Sequence, residues 1–212
     1  MKLLFLHSSI GYGGASKMIV WVANQCAMAG HDVTFLTYRD KDIKQPIDPK
    51  VKLVQKQLED TGGNVNLLYT VKWLHRFINT YRFDIGVAFL SPSMLRMAFA
   101  AKGTNMKVIF SHRADPYFKF PMKGFLSKVL GKLNAWAFEQ ADEYVFQTKM
   151  AQAYFDEDIQ KRSIVIPNPI RPMQRTMIRE SNVRKSFVSV GRLDLKQKRQ
   201  DVMIEAFNLI SP

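Results

Sequence analysis

Lys2-Leu3-Leu4-Phe5-Leu6-His7-Ser8-Ser9-Ile10-Gly11-Tyr12-Gly13-Gly14-Ala15-Ser16 opens the chain. An apolar run of strand length breaks into a glycine-rich turn. Helix-forming residues follow from about Ser16 to Ala29, with Gly30 as a C′ stop. The stretch therefore reads as a βα junction whose turn opens onto a helix N-terminus. Paired glycines there let backbone N–H groups approach a ligand, and the positive end of the helix dipole favours phosphate or carboxylate. The same glycines equally suit a tight turn with close helix-to-sheet packing, so this loop alone does not choose between the two readings.

Working outward, residues 32–38 read as a second strand and 51–54 as a short third one. Residues 59–64 are a loop by composition, and 66–81 carry Leu67, Val71, Leu74 and Ile78 at helical spacing, a stripe assigned to the core. Residues 84–90 form the next strand, and Ser91-Pro92 supplies an N-cap and a first-turn proline for a short helix ending near Ala101. Strands follow at 107–110 and 143–147. Thr148 caps a helix through about Ile159, and the strand at 163–169 is stopped by its prolines. Strands alternating with helices predict a Rossmann-like, doubly wound, mostly parallel α/β sheet over residues 1–170. Residues 171–185 are polar, without periodicity, and read as a linker. Residues 186–212 offer one strand and one helix, too little for a domain, and are read as the start of a second, incomplete one.

The chain has 212 residues, 47% of them hydrophobic and 12% aromatic, enough for a sizeable core. Its single cysteine, Cys26, cannot form an internal disulfide and suits a reducing compartment. No signal peptide and no apolar run of spanning length is seen, which predicts a cytoplasmic protein or one peripheral to a membrane. Thirty-one Lys and Arg against 18 Asp and Glu give a net charge of +13, which calls for an acidic partner. Zinc-ligand spacing, an RNP-like aromatic pattern and a short recognition-helix unit are all lacking, which argues against nucleic acid.

Ligands of open α/β sheets bind outside the carboxyl ends of the strands. One such loop, Ser111-His112-Arg113-Ala114-Asp115-Pro116, brings an imidazole, a guanidinium and a carboxylate together. Histidine donates or accepts, Asp accepts from hydroxyls, and Arg grips an anion through its planar fork. The plainer alternative is that Asp115 caps a turn and His112 is a satisfied surface residue. After it, residues 118–140 interleave Phe118, Phe120, Met122, Phe125 and further apolar residues with Lys119, Lys123, Lys128 and Lys132. A helix of this kind can lie in an interface of anionic lipid, or simply pack on the sheet with solvated lysines.

Four stretches together resemble the retaining glycosyltransferases of family 4, in particular the bacterial enzymes of capsule and surface polysaccharide synthesis. They are the Gly13-Gly14 loop, Ser111 to Pro116, Val145-Phe146-Gln147-Thr148 with Ile164 to Pro169, and Val190-Gly191-Arg192-Leu193 to Phe207. The resemblance implies two Rossmann-like domains with a cleft between them, the first here and only the opening βα unit of the second. It implies transfer of a hexose from a nucleotide-sugar to a lipid-linked saccharide, with retention and without metal or other cofactor. By this resemblance Arg192 and Lys198 clamp the donor diphosphate. Gly13, Gly14, Ser16, Lys17, Arg113 and Asp115 line the cleft on the acceptor side, and Lys119, Lys123, Phe125, Lys128 and Lys132 meet an anionic membrane at the inner face of the cell. No catalytic residue is assigned, with His112 the one candidate.

The departures are as informative. Ala15-Ser16-Lys17 stands where the family often has Ala-Glu-Arg, and Lys17 keeps the charge without the fork. His112 stands where related capsule enzymes have a carboxylate. Beyond Gly191, Glu205 is the only glutamate, so the family's Glu-x7-Glu element around the donor is absent. The sequence therefore predicts negligible transfer by this chain alone, and a non-catalytic acceptor- and membrane-binding fragment, open to self-association, is the competing reading. A nicotinamide-dependent oxidoreductase fits the fold, but Gly11 to Ser16 lacks the third glycine of G-x-G-x-x-G.

Overall fold

The computed structural model describes residues 1–39, 43–56, 66–117, 124–169, 188–191, 193–195 and 198–210. They belong to two compact units, Met1–Ile170 and Arg171–Pro212.

The first unit is built on seven strands: β1 (Lys2–His7), β2 (Asp32–Thr37), β3 (Lys52–Gln55), β4 (Ile85–Phe89), β5 (Lys107–Ser111), β6 (Glu143–Phe146) and β7 (Ser163–Val165). They form one sheet in the order β3-β2-β1-β4-β5-β6-β7, and every neighbouring pair is parallel. β1 is central: Lys2–His7 pairs residue for residue with Asp32–Thr37, and Leu3–Leu6 with Ile85–Ala88. Its side chains are buried on both faces, which is why it reads as an unbroken apolar run rather than an alternating one. Leu4 and Leu6 join the core beneath α2 (Leu67–Tyr81), α3 (Ser91–Ala101) and α4 (Phe125–Glu139), while Leu3 and Phe5 join that beneath α1 (Gly14–Met28). The doubly wound α/β architecture is thus present.

Local chemistry sets most of the helix ends. Gly30, at φ +89°, ends α1 by taking a left-handed conformation that a residue with a Cβ resists. Asn66 opens α2 by accepting from the Tyr69 N–H, and Leu74 and Ile78 of its expected stripe are buried. Thr148 likewise caps α5 (Lys149–Ala153) through the Ala151 N–H.

Three expectations need correction. Ser91 does not cap α3: it lies inside the helix, and Leu90, at φ +65°, takes the cap position and accepts the Ser93 and Met94 N–H groups through its carbonyl. The helix expected from Thr148 to Ile159 is two short ones, because the chain breaks at Phe155 to place its ring against Phe138 and Phe146, and Asp156 then caps α6 (Glu157–Lys161). Residues 188–191 carry no strand. Val188 and Val190 are 84% and 94% exposed, and a strand without a neighbour has no hydrogen-bond ladder to hold it. Among the described residues of the second unit, the one helix is α7 (Gln200–Ile210). The expected loop at 59–64 and linker at 171–185 lie outside the described residues.

Leu74→Ala removes a fully buried side chain from the core and is expected to lower stability by about 2–5 kcal/mol, while Leu68→Ala on the exposed side of the same helix changes it by less than about 0.5 kcal/mol. Urea unfolding followed by circular dichroism checks both.

Candidate functional site

Parallel strands bring all their carboxyl ends to one edge, and the loops that leave this edge carry the candidate residues. At the end of β1, His7 lies buried with Nε2 3.1 Å from the Ser16 Oγ, and the Ser16 hydroxyl lies 3.3 Å from the Ser9 carbonyl. Ser16, expected to line the cleft, is 8% exposed, with its hydroxyl engaged inside the protein. Gly13 and Gly14 are exposed and take negative φ values, and a Cβ added at Gly11, Gly13 or Gly14 would meet nothing within 4 Å. Neither a forced turn nor close helix-to-sheet packing accounts for these glycines, so the packing reading falls away. Lys17 is exposed at the first turn of α1.

The loop after β5 is tied to two others. Arg113 donates from Nε to the Ser111 Oγ at 2.7 Å and from Nη1 to the Asn168 Oδ1 at 2.7 Å, and its guanidinium lies 4.7 Å from the centre of the Phe89 ring. Gln147 donates to the same Asn168 oxygen at 3.2 Å. Loops that leave β5, β6 and β7 thus converge on one amide. Burial weakens the hold of Arg113 on its proton, yet arginine stays charged at neutral pH, and among the described residues no carboxylate forms an ion pair with it. Asp115 is exposed and accepts from the Tyr117 N–H at 3.0 Å, so the turn-capping alternative is realised for one of its oxygens. A cavity of about 220 Å³ is lined by His112, Arg113, Asp115, Tyr117, Gln147 and Thr148.

His112 is half-buried and not fully satisfied. Its ring sits among Phe138, Phe146 and Phe155 with centroids 5.7, 6.0 and 5.4 Å away, and Nδ1 is buried without a hydrogen-bond partner. Burial depresses its pKa, with Asp115 pulling weakly the other way. A neutral imidazole that borders the cavity can accept from a hydroxyl, and Asp115 lines the same cavity. No group of His, Cys, Asp and Glu among the described residues is arranged to hold a metal ion.

Arg192, Lys119 and Lys123 lie outside the described residues. Lys198 belongs to the second unit, where its N–H donates to the Asp194 carbonyl at 2.7 Å. Phe125, Lys128 and Lys132 are exposed on α4. Sequence reasoning missed the roles of His7, Gln147 and Asn168. The apolar strands that end at His7 and just before Gln147, together with the prolines flanking Asn168, placed them at the edge, yet nothing local indicated their partners.

A seven-stranded parallel sheet with helices on its faces defines a Rossmann-like α/β domain. Residues 12–174 match the family model of Glycosyltransferase Family 4, and the chain belongs to that family. Solved structures share the fold. The lipopolysaccharide outer core galactosyltransferase WaaB, in its apo form, superposes with a TM-score of 0.57 at 16% identity over 80% of this chain and 46% of its own. Sucrose-phosphate synthase from Thermosynechococcus elongatus gives a TM-score of 0.62 at 14% identity over 78% and 47%, and HepE from Anabaena in complex with UDP gives 0.51 at 14% over 80% and 44%. The chain therefore spans less than half the length of these structures. No curated protein sequence matches it significantly.

The buried imidazoles make stability depend on pH. Burial lowers His7 to about 4, the Phe89 backbone opposing it, and lowers His112 as well. Each binds its proton more weakly in the folded than in the unfolded chain. Their contribution is therefore complete above about pH 6.5 and is lost as the pH falls towards 4. His7→Gln, which cannot titrate, is expected to remove up to about 3 kcal/mol of the loss between pH 7 and 4, read as a flatter dependence of the urea midpoint on pH.

Proposed function

We propose that this chain supplies the acceptor-side domain of a retaining glycosyltransferase that moves a hexose from a nucleotide-sugar onto a lipid-linked saccharide in capsule or other surface polysaccharide synthesis. The observation that carries this reading is Arg113, held by Ser111 and Asn168 at the carboxyl edge of a Family 4 sheet without a carboxylate partner among the described residues. A guanidinium fixed in that way meets an anionic group on a ligand, and Asp115 and His112 beside it can take sugar hydroxyls. Gly13, Gly14 and Lys17 border the same edge, with Phe89 at the end of β4 lying between the two loops. On the donor side, Arg192 and Lys198 would stabilise charge on the departing nucleotide diphosphate. That HepE is seen with UDP and with UDP-glucose supports a nucleotide-sugar as donor. In retention of this kind the acceptor proton passes to the leaving phosphate on the same face, so no protein base is named, and no metal or cofactor is invoked.

The acceptor is proposed to reach the site at the inner face of the cell membrane. Among the described residues no helix is long and apolar enough to cross a membrane. On α4, however, Phe125 is 79% exposed beside exposed Val129 and Leu130, with Lys128 and Lys132 among them, while Leu133, Trp136 and Ala137 pack inward. Lipid acyl chains would accept the apolar side chains and anionic headgroups the lysines, including Lys119 and Lys123 just ahead. A second reading, a non-catalytic acceptor- and membrane-binding domain, is favoured by the exposed apolar and basic face of α4, which needs no donor site to serve it. The exposed Ile204, Leu209 and Ile210 of α7 make self-association part of either reading.

Two measurements test this. The purified 212-residue chain, given nucleotide-hexoses and lipid-linked saccharides, is expected to bind the saccharide with negligible turnover. Robust transfer would sink the fragment reading, and transfer with inversion would overturn retention. In co-sedimentation, salt-sensitive binding to anionic but not neutral liposomes is expected, and a Lys119/Lys123/Lys128/Lys132→Glu variant should lose it. Equal behaviour of variant and wild type would return these lysines to an ordinary solvated face.

A further inference from the structure

We propose that His7 is a positioning residue: its Nε2 holds the Ser16 hydroxyl, Ser16 holds the Ser9 carbonyl, and this chain of two hydrogen bonds fixes the shape of the glycine loop between β1 and α1.

The loop needs such a device. Gly13 occupies the cap of α1 without a side-chain hydrogen bond, Tyr12, Gly13 and Gly14 are exposed, and the Cβ space at Gly11, Gly13 and Gly14 is empty, so packing anchors this backbone at the buried Ile10 but not from Gly11 to Gly14. From the outer side it is strapped by the Lys44 N–H to the Ile10 carbonyl at 2.8 Å and by the Gln45 amide to the Gly11 carbonyl at 3.0 Å. From the inner side it is held by His7 and Ser16. These two belong to rigid elements, the last residue of β1 and the first turn of α1, and they are only 2% and 8% exposed, so water competes poorly for either contact.

The single hydroxyl hydrogen of Ser16 serves one of its two contacts: it goes to the Ser9 carbonyl with His7 donating from Nε2, or to Nε2 with the Nδ1–H turned to the Phe89 backbone, and in either case the three groups are held together. Burial keeps the ring neutral near pH 7, so both ring nitrogens retain these roles there. His7 would thus set how the Gly13–Gly14 backbone meets a ligand without touching the ligand itself. That last consequence rests on the ligand-facing reading of the loop; the clamp does not.

Hydrogen exchange of peptides spanning residues 8–16 tests the clamp in the protein without ligand. Ser16→Ala, which deletes one oxygen, and His7→Leu are expected to speed exchange in this loop by roughly fivefold, with β5 and α2 unchanged. His7→Gln, whose amide N–H reaches about as far as Nε2, should restore protection. Unchanged loop exchange in folded Ser16→Ala would overturn the proposal, as would a solvent-exposed, freely titrating His7 ring in the 15N spectrum of the wild type. If His7→Leu does not fold, Ser16→Ala carries the test. Titration with UDP-glucose, and separately with inorganic pyrophosphate, then reads the Gly13 and Gly14 amides. Shifts in the wild type that weaken in Ser16→Ala support the consequence for binding, whereas no shift with either probe would sink the ligand reading and leave the clamp standing.

Discussion

Everything in the first unit depends on the parallel register of β1 between β2 and β4. Parallel neighbours cannot be joined by a hairpin, so each strand must be followed by a crossover, and the crossovers lay helices on the faces of the sheet. Burial on both faces then removes the alternation that a half-exposed strand would show, and Leu3 to Leu6 become uniformly apolar. The same constraint turns every strand in one direction. The edge with the chemistry is therefore a consequence of topology before it is a property of any side chain.

At that edge the protein spends its polar groups on holding loops together. Asn168 accepts from Arg113 and Gln147, and Ser111 accepts from Arg113, so positions far apart in sequence are fixed within a few ångströms. A guanidinium held at two points over an aromatic ring has lost most of its freedom before any ligand arrives. That ordering cost is met during folding instead of at binding, which is the meaning of a preorganised site.

The sequence announced the architecture well because its signals are local. Apolar runs of strand length, Gly30 after a helical stretch, Asn66 and Thr148 as caps and the α2 stripe all depend on near neighbours. The failures share the opposite property. Phe155 breaks a helix to reach a ring cluster assembled from α4 and β6, and Leu90 displaces Ser91 from the cap at the end of a buried strand. The partner of Ser16, His7 at the end of β1, depended likewise on a contact no local signal announces. The candidate site was legible as a set of loops, through Arg113 and the paired glycines, whereas Asn168 as their meeting point depended on a contact 55 positions apart. Residues 188–191 had the composition of a strand and lacked only a neighbour to pair with.

The far edge of the sheet has a bearing on assembly. β7 is three residues long, and the last backbone bond beyond it, from the Ile166 N–H to the Phe146 carbonyl, is followed at once by Pro167 and then by Pro169. Neither proline has an N–H to offer, so the pattern of donors and acceptors that an incoming strand would read stops almost where it begins. On that side the sheet presents only a short template, ill suited to the strand-on-strand addition that runaway fibrous assembly needs.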